Sequence, residues 1–93
     1  MAVVLLTVEF HFPFARSLKD KRMVLRGLKD RAKEFNVGVA EIDHHDLWQR
    51  ATLGIVTIAT DGVHAERELQ AVADKLERAE PGLITRTEIE HLA

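Results

Sequence analysis

The N-terminal segment, residues 2–12, alternates between two sets of side chains, as expected for a strand with one buried face. One set is wholly apolar, and the other is apolar at first and polar later. Pro13 ends the segment, because proline cannot donate a hydrogen bond to a sheet ladder. The apolar set is Val4, Leu6, Val8, Phe10 and Phe12, and the second set is Val3, Leu5, Thr7, Glu9 and His11.

A helical repeat of apolar residues follows the first strand. Ser17 is a good N-cap residue, and Asp20 stands three places later, as in a capping box. The pattern predicts a helix from Leu18 to about Phe35, which Asn36 or Gly38 can end. The residues at helical spacing are Leu18, Leu25, Leu28, Ala32 and Phe35.

The remaining chain adds three strands and one helix. We predict strands at Val37–Asp43, Ala51–Thr60 and Leu83–Leu92, and a helix from about Val63 to Ala79 that Pro81-Gly82 follows. The order βαββαβ predicts the α+β class, specifically one ferredoxin-like domain spanning residues 1–93. In this two-layer sandwich a four-stranded antiparallel sheet carries both helices on one face.

This topology brings two polar segments together. We number the predicted strands β1–β4 and the helices α1 and α2 in chain order. If successive elements alternate in direction, the β1–α1 loop, the β2–β3 loop (residues 44–50) and the α2–β4 loop lie at the same end of the sheet. Residues 14–21 then approach residues 43–50.

Composition limits the class of protein. Ninety-three residues, 46% of them hydrophobic and 30% charged, fit one small globular domain. The absence of cysteine excludes a disulfide framework, a thiolate zinc site and a thiol nucleophile. No apolar run approaches the length of a membrane span, and the apolar start lacks the features of a signal peptide. We therefore expect a cytoplasmic protein without a membrane partner.

The net charge of −2 conceals an asymmetry. Eight basic and three acidic residues give +5 between Ala15 and Phe35, so the rest of the chain carries −7. Six of these cations fall on or just beside one side of the predicted helix, where they could follow the phosphates of a nucleic acid. The alternative is an ordinary solvated face, since Asp30 and Glu34 lie nearby. We call these six residues the basic stripe: Arg16, Lys19, Arg22, Arg26, Lys29 and Lys33.

Lys21 lies on the apolar side of the same helix, with Leu25 and Leu28. Its ammonium group could extend past the end of the sheet to solvent, as amphipathic side chains often do. Alternatively, it points to the β2–β3 loop and contributes to a binding site there.

That loop concentrates chemically useful side chains, namely Asp43, His44, Asp46, Trp48, Gln49 and Arg50, together with His45. Histidine next to aspartate is typical of metal ligation or acid–base catalysis. His44 and Asp46 are the weak metal candidates, since consecutive side chains cannot all reach one ion; Asp43 with His45 is another pair, and His11 could supply a further ligand. The structural alternative is that the aspartates accept turn hydrogen bonds while Trp48 fastens the loop to the core. We predict no cofactor.

Two further features bear on partners. Trp48, the only tryptophan, stands close to Arg50 and could stack on a base, anchor an interface or pack in the core. Val3 and Leu5 lie on the sheet face that the helices leave open, which suggests a second copy of the chain as a partner. RNA binding through that face is disfavoured, because it has no aromatic pair and carries Glu9.

Two motifs resemble the YlxP-like family of small bacterial proteins. They are SLKDKRMVLRGLKDR, residues 17–31, and VAEIDHHDLWQRATLG, residues 39–54. The resemblance implies a ferredoxin-like domain of unknown function, and it favours His44 over His45, where the family usually has glutamine. In that family the genes often lie beside those for translation initiation and ribosome maturation factors, so the resemblance also implies such neighbours for the gene of this protein.

Together these observations predict a non-enzymatic protein that binds RNA or a ribosomal subunit, with its basic first helix on the phosphates. Local recognition is expected from the end of the sheet where the polar loops meet, from Lys19, Lys21, His44, Trp48 and Arg50. One alternative is a small-ligand or metal site, which could be enzymatic, at residues 43–50. The other is a purely structural homo-oligomer.

Overall fold

The computed structural model describes all 93 residues and has the predicted element order. Four strands and two helices alternate in the split pattern of the ferredoxin-like fold. Their bounds are β1 Ala2–His11, α1 Leu18–Ala32, β2 Gly38–Asp43, β3 Arg50–Ala59, α2 Gly62–Ala79 and β4 Ile84–His91.

The strands form one antiparallel sheet in the order β2-β3-β1-β4. Strand β1 lies in the middle and pairs with β3 over its whole length, from Ala2 opposite Ala59 to His11 opposite Arg50. Strands β2 and β4 are the two edges. The predicted ferredoxin-like sandwich is confirmed.

The core lies between the sheet and the two helices. The apolar face of β1 is buried from Val4 to Phe12, as its alternation predicts. Helix α1 contributes Leu25, Leu28 and Ala32 to the core and packs against α2 and the edge strand β2. Helix α2 adds Ala65, Leu69, Val72, Ala73 and Leu76.

Both helices begin at a capping side chain. Ser17 Oγ accepts a hydrogen bond from the Asp20 amide at 3.1 Å, and Asp61 Oδ1 accepts one from the His64 amide at 2.8 Å. In α1 the Asp20 carboxylate also accepts a hydrogen bond from the Arg16 amide at 3.0 Å. The two cap contacts satisfy backbone donors that the first helical turn leaves without partners, and the Arg16 contact fixes the residue before the cap of α1.

Several element ends differ from the sequence prediction, most clearly at the end of α1. The helix stops at Ala32 rather than at Phe35. The amides of Glu34 and Phe35 bond to the carbonyls three residues earlier, which is the tighter geometry common at helix ends. Phe35 nevertheless packs against the core, so its apolar spacing reflects burial beyond the helix rather than helix length.

Long-range hydrogen bonds join the loops at one end of the sheet. Gln49 Nε2 donates to the carbonyls of Pro13 and Ala15, both at 3.2 Å, and the Phe12 amide donates to the Gln49 carbonyl at 2.8 Å. The His11 amide donates to Leu83, just before β4. The three loops therefore meet as the topology requires.

Neither helix is long and apolar enough to span a bilayer.

Candidate functional site

The basic stripe lies along the outer side of α1. Five of its side chains are exposed, and Lys29 is half-buried. None of the six cations has a carboxylate oxygen within 4.0 Å, whereas five contacts between lysine or arginine and a carboxylate form elsewhere in the molecule. The positive charge of the stripe is therefore not neutralised by direct pairing.

A groove runs beside the stripe, between α1 and the edge strand β2, and encloses about 500 Å³. Glu34, one of the two acidic residues expected to dilute the stripe, instead forms an ion pair with Lys75 of α2 at 3.0 Å. Asp30 does line the groove. Its residues are Arg22, Leu25, Arg26, Lys29, Asp30, Lys33 and Glu41, so cations predominate in its lining.

Lys21 is not part of this surface. Its side chain is 1% exposed, and the ammonium group distributes its N–H groups among four oxygens. These oxygens are the Glu41 carboxylate (3.2 Å) and the backbone carbonyls of His44 (2.9 Å), His45 (3.3 Å) and Arg50 (3.2 Å). Lys21 thus points to the β2–β3 loop rather than to solvent, and it holds both ends of that loop against α1.

The loop begins with a tight turn. His44 adopts the left-handed backbone conformation, with φ of 64°, and its amide donates to Asp43 Oδ1 at 2.7 Å. The Leu47 amide closes the turn on the His44 carbonyl at 3.1 Å. Asp43 therefore has the turn-forming role that the structural alternative gave it.

The two histidine rings also have partners within the fold. His44 Nδ1 lies 2.9 Å from Thr52 Oγ1, and His45 Nε2 lies 3.0 Å from the Glu41 carbonyl. No group of three or more His, Asp or Glu side chains is arranged to hold a metal ion, at His44 and Asp46 or elsewhere. These imidazoles stabilise the turn.

The exposed part of the loop lines an open cleft of about 520 Å³ at the end of the sheet. The Trp48 side chain is 53% exposed and is absent from the core, so it does not fasten the loop as the structural alternative required. Arg50 is also exposed and lies 3.5 Å from Glu9. We call this the Trp48 cleft; its residues are His11, Asp46, Leu47, Trp48, Gln49 and Arg50.

Sequence reasoning did not identify Glu41. Alternation along β2 sets Glu41 on the same face as Val39, opposite the buried Leu53 and Ile55 of β3. A carboxylate on a helix-facing strand position requires a cation, because burying an unpaired charge is costly. This requirement, together with a lysine on the apolar side of α1, would have allowed the Lys21–Glu41 pair to be predicted from the sequence.

The fold places the protein in a well-known class. Solved structures that resemble it include a de novo designed protein with a ferredoxin fold (LFR1), with a TM-score of 0.55 at 14% identity, covering 100% of this chain and 87% of that chain. SnoaB, a cofactor-independent oxygenase from Streptomyces nogalater, gives a TM-score of 0.55 at 16% identity and covers 100% and 93%. At such low identity the likeness establishes the ferredoxin-like fold alone.

The sequence defines the family within that class. The chain belongs to the family described as "Protein of unknown function (DUF503)", whose model matches residues 3–89. It is 41% identical over 81 residues to the uncharacterized protein YlxP of Bacillus subtilis (strain 168), an alignment that covers 80% of this chain and 84% of that protein. The predicted family resemblance is confirmed.

Proposed function

We propose that this protein is a non-enzymatic RNA-binding protein that contacts the phosphates of RNA, including the RNA of ribosomal subunits, through the basic stripe. The observation that carries the proposal is the set of six cations without a carboxylate within 4.0 Å. Phosphate contacts by arginine and lysine supply most of the sequence-independent affinity for nucleic acids.

The spacing of the stripe supports an elongated polyanion rather than a single anion. From Lys19 to Lys33 the stripe extends about 21 Å, at 1.5 Å per residue along a helix. Like charges three or four residues apart on a helix destabilise it slightly, and Arg22 has such neighbours in Lys19 and Arg26. A bound polyanion offsets this repulsion, so a row of like charges is favourable when RNA is bound.

Co-sedimentation with ribosomal subunits across a salt series tests the proposal. Binding of a single-stranded RNA should weaken with a slope of log affinity against log salt of about −4 if all six cations contact phosphates. Between about 50 and 200 mM salt this corresponds to a loss of roughly 300-fold. Undetectable or salt-independent binding would contradict the proposal.

Charge-matched variants separate a local site from a general effect of charge. Reversing Lys19, Arg22 and Arg26 to glutamate should nearly abolish binding. Reversing Arg67, Lys75 and Arg78 of α2 changes the net charge by the same amount, from −2 to −8, since each reversal subtracts two. Binding should survive in this control. Equal loss in both variants would show that the stripe is not a defined site.

The open sheet face supports a second candidate function, self-association. Ile58 is 63% exposed opposite Val3, and Ile42 is 49% exposed with its side chain against Gly54. Large exposed apolar side chains grouped on one face are typical of an interface. Sedimentation should show a dimer that Ile58→Asp disrupts, whereas Val63→Asp on α2, at an equally exposed position, should not. A wild-type monomer at every concentration would exclude this candidate.

A further inference from the structure

The contacts that hold the β2–β3 loop in place do not require Trp48 to be exposed. The loop is already held by Lys21, by the Gln49 amide and by the two histidine rings. The indole, although 53% exposed, therefore sits on a constrained backbone rather than on a mobile one. A rigidly presented aromatic ring loses little conformational entropy when a second planar group stacks on it.

We propose that the Trp48 cleft binds one unpaired nucleobase of an RNA strand, with the base stacked on the indole of Trp48. This inference rests on the proposed function and assigns a second, base-binding contact to it. Aromatic side chains beside a positively charged surface are the usual means of holding single-stranded nucleic acid.

The chemistry of the cleft favours a base over a phosphate. Asp46 contributes a carboxylate that has no cation within 4.0 Å, and Glu9 lies 3.5 Å from the guanidinium of Arg50. The Asp46 carboxylate repels a phosphate but accepts hydrogen bonds from the amino and imino groups of a base, and Glu9 offsets the charge of Arg50. His11 and Gln49 add polar groups at the edge of the cleft. Its volume of about 520 Å³ lies within the usual range for small-molecule sites.

The position of the cleft connects it with the basic stripe. Gln49, which lines the cleft, donates hydrogen bonds to Pro13 and Ala15 at 3.2 Å, and Arg16, the first cation of the stripe, follows directly. The cleft and the start of the stripe thus belong to the same end of the fold. One RNA strand can contact the stripe with its phosphates and the cleft with a base.

Tryptophan fluorescence provides a direct test, because the chain contains one tryptophan and no tyrosine. A short single-stranded oligoribonucleotide should quench Trp48 emission on binding. Heparin, a polyanion without bases, should bind to the stripe without quenching. Free mononucleotides should quench only at far higher concentration than the oligonucleotide, because they lack the additional phosphates.

Three substitutions, two at Trp48 and one control outside the cleft, sharpen the test, with circular dichroism as the check on folding. Trp48→Ala should weaken oligonucleotide binding by roughly 5- to 150-fold, the range for loss of one stacked base. Trp48→Phe, which keeps an aromatic face, should retain most of the affinity. The control is Val63→Ala, which removes an apolar side chain of comparable exposure from α2, outside the cleft, and should change the affinity by no more than about 2-fold.

The outcomes distinguish this inference from the proposed function. In one outcome the oligonucleotide binds with the expected salt dependence, but Trp48 emission does not change and Trp48→Ala binds as tightly as the wild type. The inference of a base site in the Trp48 cleft is then wrong, and the proposed binding of RNA by the basic stripe stands. If neither the oligonucleotide nor heparin binds, both proposals are wrong. If mononucleotides bind as tightly as the oligonucleotide, the cleft is a site for free nucleotides and the inference is overturned.

Discussion

The two helices cover the same face of the sheet but differ in how they use charge. Helix α1 carries six basic and two acidic residues, whereas α2 carries three basic and four acidic residues. In α2 the charges of both signs are interspersed, and several have partners: Lys75 with Glu34, Glu66 with His91, and Glu68 with Thr57. The exposed cations of α1 have no carboxylate partner, and Arg31 donates only to the Gly27 carbonyl of its own helix at 3.2 Å. Packing requires only that the inner face of each helix be apolar. The residues of the outer face can therefore differ between the two helices and can serve a function.

The buried faces of the helices differ as well. That of α2 is wholly apolar, whereas that of α1 includes Lys21, the only charged residue among the buried ones. The lysine connects α1 to the β2–β3 loop through four oxygens. Helix α1 thus positions the candidate site from its inner side and presents the cations of the basic stripe on its outer side.

The largest expected effect is the loss of this buried cation. Lys21→Met should lower the free energy of unfolding by about 3–5 kcal/mol, because the half-buried Glu41 carboxylate and three carbonyls lose their donor. Urea denaturation measures the loss. The comparison is Leu69→Ala in α2, which should cost about 2–5 kcal/mol through lost apolar burial and the cavity left behind, with no charge involved.

A double variant distinguishes charge from packing at this position. Lys21→Met with Glu41→Met should recover part of the stability, since no unpaired carboxylate is left, although the three carbonyls still lack a donor. A loss below about 1 kcal/mol for Lys21→Met alone, the range of an exposed ion pair, would contradict the role of Lys21 as the anchor of the loop.

The two N-caps should show a smaller difference. Asp61→Ala in α2 should lower the free energy of unfolding by about 1–2 kcal/mol, because it removes both a cap and a negative charge at the helix N-terminus. Ser17→Ala in α1 should cost less, about 1 kcal/mol, since Asp20 still supplies a carboxylate in the first turn. Thermal denaturation would rank the two, and the reverse order would show that the Asp20 carboxylate does not compensate.

The smallest effects should have opposite signs in the two helices. Arg22→Gln should raise the free energy of unfolding by a few tenths of a kcal/mol at low salt, because it relieves repulsion from Lys19 and Arg26. Lys75→Gln should lower it by up to about 1 kcal/mol, because it breaks the pair with Glu34. Both differences should shrink in high salt. If both substitutions change the free energy of unfolding in the same direction at low salt, repulsion among the cations of the stripe does not destabilise α1.

Much of the fold was predictable because it depends on local pattern. Alternation in residues 2–12 predicted a strand with one buried face, and the structure buries the predicted set. Ser17 predicted where α1 begins, since a cap acts within one turn. The end of α1 was less predictable, because Phe35 continues the apolar spacing after the helical hydrogen bonds have changed.

The sequence by itself determined the strands, the helices and their order, as well as the presence of uncompensated positive charge in one segment. Only the tertiary structure decided that Lys21 is buried, that Glu34 turns to Lys75, and that Trp48 is left exposed. These outcomes depend on contacts between residues far apart in the chain, such as Lys21 with Arg50, 29 positions away, and Gln49 with Pro13, 36 positions away. Local propensity acts over one turn or one pleat, whereas the pairing of strands sets which distant polar groups meet and which remain free.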